Sequence, residues 1–257
     1  MKNKEYWSKR ISEVAQKQFD TTNDEMQKEL KAIYEEMAKK MAKDVDDIYF
    51  KLLEDEITRT DIWTYKHYRD LSKRMTILAA RVGAKEEKIL NKQLEIALRE
   101  VYKSTPLPGA IFALIDEVKV KRLISTPWCG KHFSERIWVN KSNMIEQLKK
   151  GVTESIVLGK SKDKAVEEIM KKCNVGFRDA DRLVRTELMH MINEGQKRKY
   201  KDAGYTKVKV LVADDERLCE DCMQNDGKVF ELNEVSLPQH PRCRCTYIPV
   251  MESRKTE

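Results

Sequence analysis

The sequence predicts a mainly α protein that ends in a small α+β subdomain with a short antiparallel sheet. Three observations carry this. Apolar residues recur at steps of three or four through most of the first 200 residues, as one face of a helix requires. Beyond Gly204 the pattern changes to short β-branched runs, partly alternating. Four of the six cysteines, with one of the four histidines, then crowd into residues 219–245.

Composition agrees with long solvated helices. The chain has 257 residues, room for one large domain or two smaller ones. Apolar residues make up 40%, enough for a core, while charged residues reach 36% against a usual quarter or so. Only 7% are aromatic and only 9 are glycine. A net charge of +7 suits contact with nucleic acid or an acidic protein, and equally a basic protein that touches neither.

The first helix is expected from Asp24 to about Glu56. Its stripe is Met26, Leu30, Ile33, Met37, Met41, Val45, Ile48 and Leu52, with a mean step near 3.7 residues. That keeps the stripe on one face of a nearly straight helix and excludes a sustained left-handed coiled coil. A second helical stretch runs from about Ile62 to Tyr102, with Gly83 as a break or kink. "STPLPGA", residues 104–110, reads as a hinge or boundary. Residues 111–124 form one more short helix, and residues 125–140 an irregular, aromatic-rich segment containing Cys129 and His132.

Ser142 is expected to cap a helix with Met144, Ile145, Leu148, Val152 and Ile156 inward, ended by Gly159. Ser161 opens another, with Val166, Ile169 and Met170 inward and Cys173 at its end as a small buried hydrophobe. A strong helix over residues 177–205 follows, stopped by Gly204, with Ala180, Leu183, Val184, Leu188 and Met191 as its stripe. Glu187 falls beside that stripe, so its carboxylate needs a partner: Arg185, His190 or backbone donors further on. Asp181 offers Arg185 a plain surface pair one turn back. Strands are expected over 205–214, 227–232 and 245–250. Along the chain this gives a long-helix docking region (1–104), a helical middle region (105–176) and a C-terminal domain (177–257).

Cys219-x-x-Cys222 lies in a turn between the first two strands, and His240-x-x-Cys243 precedes the third, with Cys245 two residues on. Two pairs about 17 residues apart have the layout of a tetrahedral, zinc-knuckle-like structural site. The first 20 residues have no apolar core, and no apolar run approaches the roughly 20 residues of a membrane span. A cytosol-like compartment is therefore expected, where thiols stay reduced and clustered cysteines argue for metal before disulfide. The preferred ligands are Cys219, Cys222, His240 and Cys243, with Cys245 as the alternative. A disulfide between the pairs, or free thiols, are the other readings.

"RLVRTELMHMINEGQKRKYKDAG", "DDERLCEDCMQNDGKVF" and "LPQHPRCRC" resemble the phage Mu F-type head morphogenesis family, the minor head (minor capsid) proteins of tailed bacteriophages. "YWSKR" and "FSERIWVN" resemble its Gram-positive phage members. The family pattern falls on Arg185, Thr186, Glu187, Asp215, Cys219, Cys222, Gly227, His240, Pro241 and Cys243. The resemblance implies a low-copy structural virion component inside the head near the portal, assembled in the host cytoplasm. Its implied partners are the portal protein, capsid or scaffold proteins, and packaged double-stranded DNA touched nonspecifically. It implies no enzyme, and the sequence shows no nucleophile elbow, phosphate-binding glycine loop or HExxH. The competing readings are a metal-dependent nuclease or hydrolase using Glu187, Asp215 and His240, and a zinc-ribbon nucleic-acid-binding adaptor.

Overall fold

The computed structural model describes residues 3–54, 66–108, 114–213 and 219–253. Helices α1 (Asn3–Glu54), α2 (Lys66–Ser104), α3 (Glu117–Ser125), α4 (Phe133–Val157) and α5 (Lys162–Asp202) come first. Strand β1 (Lys207–Leu211), helix α6 (Glu220–Asn225), and strands β2 (Val229–Glu231) and β3 (Thr246–Pro249) follow. The expected mainly α chain with a small terminal sheet is what forms. The sheet is antiparallel with order β2-β1-β3; Val208 faces Phe230 on one side and Pro249 on the other.

Several helix boundaries differ from the sequence reading. The stripe of α1 starts earlier, with Ile11, Ala15 and Phe19 buried ahead of Met26. Glu56 and residues 62–65 lie outside the described residues, as does part of the 104–110 hinge. Gly83 does not break α2. A Cβ there would stand 3.1 Å from carbons of Lys141 and Trp138, so glycine serves close packing on α4. Helix α4 begins at Phe133, so residues 133–140 are helical and Ser142 is interior rather than a cap. Phe133 and Ile137 are buried, and they extend the Met144, Leu148, Val152 stripe backwards by about three turns.

The two helices expected over 161–176 and 177–205 are one continuous helix, α5. Cys173 is buried as expected but mid-helix, and Met170 is exposed rather than inward. Gly159 and Gly204 do end their helices, each at a positive φ that glycine adopts without strain.

The chain forms two compact units, each from separated stretches. One takes residues 27–89 and 133–181, the other residues 1–26, 90–132 and 182–257. The three regions read from the sequence divide the chain along its length; these units divide it in space. The first unit is all helical, with a core running from Tyr34, Met41 and Ile48 through Leu71 and Met75 to Leu148 and Ile169. Inside it lies a buried ion pair, Lys141 Nζ to Glu86 Oε2 at 2.7 Å, and Tyr34 donates to the same oxygen at 2.9 Å. The second unit carries the sheet, whose core joins Ile11, Tyr200, Val208, Val210, Leu237 and Tyr247.

Candidate metal centre

The cysteine–histidine cluster is built by short local devices. Cys219 is the N-cap of α6, and its Sγ accepts the Cys222 backbone N–H at 3.3 Å. The CxxC segment is therefore a helix start rather than the expected turn, which brings both sulfurs to one side. Gly227, at φ 72, reverses the chain into β2, and its N–H donates to Val210. On the other arm the Cys243 N–H donates to the His240 carbonyl at 3.2 Å, closing a turn through Arg242 at φ 66.

These arms bring five donors together. Cys219, Cys222 and His240 form one group with ligand atoms within 4.8 Å of one another, and Cys222, Cys243 and Cys245 form a second. Cys222 belongs to both. Its Sγ lies 3.7 Å from Cys243 Sγ and 3.1 Å from His240 Nε2. A zinc tetrahedron with Zn–S bonds of about 2.3 Å has sulfur–sulfur edges of about 3.8 Å, so the Cys222–Cys243 separation already fits one edge. The cluster could hold a metal such as zinc. Cys129 is exposed, and His132 Nε2 lies 3.0 Å from the Ile124 carbonyl; neither joins a metal-ligating group among the described residues.

The sulfurs are electrostatically unequal. S–H donation from Cys245 pulls the Cys243 thiol down to about 5, against burial, with backbone donors and His240 also lowering it. Burial above all pushes Cys222 up to about 12. Cys245 is raised, chiefly because its proton is held on Cys243. The cluster thus presents one thiolate ready for a cation, and thiols that a metal would have to deprotonate.

One face of α5 holds the cluster in place. Thr186 Oγ1 accepts the Arg242 N–H at 3.1 Å, and His190 Nδ1 lies 3.2 Å from the Leu237 carbonyl. Asn193 donates to the Cys245 carbonyl at 3.0 Å. The Thr246 hydroxyl lies 2.6 Å from Gln196 Oε1, and Tyr200 donates to the Tyr247 carbonyl at 2.9 Å. Positions 186, 190, 193, 196 and 200 follow helical spacing, so a polar stripe on α5 reads out the backbone of the cysteine arm. Asn193, Gln196 and Tyr200 lie outside the apolar stripe that the sequence shows; the same helical period applied to polar residues picks them out.

Helix α1 grips the same arm. Gln16 donates to the Arg244 carbonyl at 2.9 Å, Arg244 pairs with Asp20 at 2.8 Å, and its guanidinium lies 4.9 Å from the Phe19 ring centre. The other predicted residues fall as follows. Glu187 is buried as expected, but it accepts from Trp128 Nε1 at 2.6 Å, a donor not among those expected. Trp128 stacks on His190 at 4.1 Å. The Arg185 guanidinium lies over Phe19 at 5.8 Å. Pro241 is exposed, and Asp215 lies outside the described residues.

Among the described residues, no helix is long and apolar enough to cross a membrane. Residues 146–248 match the family model described as phage Mu protein F like protein. The match contains α5, the whole sheet region up to Ile248 and all five donors. No curated protein and no solved structure matches the chain.

Proposed function

We propose that this chain, which carries a phage Mu protein F-like domain over residues 146–248, is a minor head protein of a tailed bacteriophage. It is a structural virion component that acts with the portal in head assembly and in packaging or delivering DNA. The domain match carries this reading. Its place is inside the head near the portal, reached after assembly in the host cytoplasm, with capsid or scaffold proteins and double-stranded DNA as further neighbours.

In this reading one zinc ion is held by Cys219, Cys222, His240 and Cys243, with Cys245 as hydrogen-bonding neighbour or alternative ligand. The metal supplies cross-linking of two chain arms, a folding role of about 10–16 kcal/mol in small zinc peptides. Three short strands alone would not supply that. Arg185, Thr186 and Glu187 serve architecture, and so do Gly227 and Pro241. A nuclease reading would need the Glu187 carboxylate within reach of substrate; its 1% exposure and its Trp128 hydrogen bond weigh against that.

The test is co-expression of the full chain with the portal protein encoded in the same phage genome, followed by affinity purification and a stoichiometry readout. Co-purification at moderate salt supports the proposal. Absence of association at both low and moderate salt overturns it.

A further inference from the structure

In the all-helical unit, α2 and α4 enclose a cleft of about 690 Å³. Its base carries the buried contact between the Tyr68 hydroxyl and Thr153 Oγ1 at 2.5 Å, and Thr153 is 7% exposed. Four of its lining side chains are cationic: Arg69 and Lys73 on α2, Lys149 and Lys150 on α4. One is acidic, Glu154, which lies 3.9 Å from Lys150.

Arg69 and Lys73 are one turn apart, so they share a face of α2, and Ser72 adds a hydroxyl beside them. Among the described residues, Arg69, Lys73 and Lys149 have no carboxylate partner. Some other cations of this unit do have carboxylate partners: Arg74 has Asp44 at 3.0 Å, Lys162 has Asp46 at 2.8 Å and Lys40 has Glu36. Gathering unmatched like charges at one concave place costs free energy in the isolated chain. A polyanion filling the cleft would offset it.

We propose that this cleft seats the phosphodiester backbone of double-stranded DNA. The proposal rests on the head-protein reading and names the surface by which the chain touches DNA. The chemistry favours DNA over an acidic protein face. Although most of the exposed lining is apolar, its residues carry hydrogen-bond donors on three cations with no carboxylate partner among the described residues, together with Ser72. It offers no exposed large apolar side chain of the kind that anchors protein interfaces, since Tyr68 is 7% exposed. Nothing in the lining reads base edges, so binding is independent of sequence and steep in salt.

The test measures binding of the full chain to two unrelated 30-base-pair duplexes by fluorescence anisotropy across a salt series. The wild type is compared with Arg69→Gln/Lys73→Gln/Lys149→Gln. A control, Lys9→Gln/Lys31→Gln/Lys121→Gln, removes equal charge from exposed helix pairs. Each lost phosphate contact flattens the log–log salt slope by about 0.9, so the cleft variant is expected to lose about 2–3 in slope and at least about tenfold in affinity near 50 mM salt. The control is expected to stay near the wild-type slope, and both duplexes to bind alike. All substituted side chains lie at the surface or its edge, so melting temperature is expected to hold. A cleft variant with wild-type slope and affinity overturns the proposal, as does a wild type that binds neither duplex. Portal co-purification of the same variant separates the two readings. Retained association with lost DNA binding supports both. Lost association with unchanged DNA binding means that the cleft faces protein, and overturns this inference alone.

Discussion

The backbone N–H of Arg242 donates to Thr186 Oγ1 at 3.1 Å, while that hydroxyl donates to the Arg182 carbonyl at 2.7 Å. Arg242 stands between His240 and Cys243 at φ 66. One helical threonine therefore sets the position of a strained turn between two candidate ligands. Thr186→Val keeps the shape and removes the acceptor. The expected loss is about 1–3 kcal/mol, the cost of an unpaired amide. At about 2–4 °C per kcal/mol for a chain of this size, calorimetry resolves it readily. Thr186→Ser should restore most of the loss. Equal melting temperatures for all three proteins would show that the turn holds itself.

Cys222 belongs to both donor groups, so it links the two arms in four of the five possible four-ligand sets. Cys222→Ser is expected to abolish bound zinc, measured as metal per chain by elemental analysis. Cys243→Ser should do the same, because it removes the sulfur whose pKa the neighbouring donors lower. Cys245→Ser is expected to keep about one zinc per chain, at weaker affinity. Full occupancy in Cys243→Ser and none in Cys245→Ser would exchange the roles of those two cysteines.

Thiol reactivity should report the same centre. Cys129 is exposed, whereas Cys173 is 2% exposed and burial pushes its thiol up to about 12. At pH 8 Cys173 is thus protonated as well as shielded. Brief alkylation of the zinc-loaded protein is expected to add one label, at Cys129, read by intact mass. Chelation should expose the cluster cysteines next, and only denaturant should expose Cys173. Labelling of Cys173 ahead of the cluster would contradict that order.

Lys141 and Glu86 are 1% and 0% exposed, and both sit among helix-packing residues. Removing one partner leaves a buried charge. Lys141→Met is expected to destabilise by about 3–5 kcal/mol in denaturant unfolding. Lys141→Met with Glu86→Leu should recover much of that, because paired removal leaves no orphan ion. A double variant as unstable as the single would mean that shape, not charge, is what the site requires.

The parts of this structure legible in sequence are those governed by short-range periodicity. The Met26–Leu52 stripe, the three strands and the five donors are where the spacing puts them, since each depends on neighbours within a few residues. What escaped depends on distant partners. Glu187 is satisfied by Trp128, 59 positions away. No local rule distinguishes that indole from other donors. Gly83 looks like a breaker until Trp138 and Lys141 are placed against it. The helix expected to stop before Phe177 continues because Phe177 and Ala180 find a core partner in Tyr34, whose ring is 5.8 Å from that of Phe177.

The unit bearing the cysteine cluster draws on residues 1–26, 90–132 and 182–257. During translation, therefore, its first contributor must wait for its last. The grip of Gln16 and Asp20 on Arg244 spans more than 220 positions and can form only when almost the whole chain has left the ribosome. At about 5–20 residues per second, the other unit has all its segments out roughly several seconds or more before the cluster can close. Through that interval the amino-terminal stretch carries Ile11, Ala15 and Phe19 uncovered by their final neighbours. A stop codon ahead of Arg244 would remove the residue that Gln16 and Asp20 hold, and so loosen the amino-terminal stretch as well.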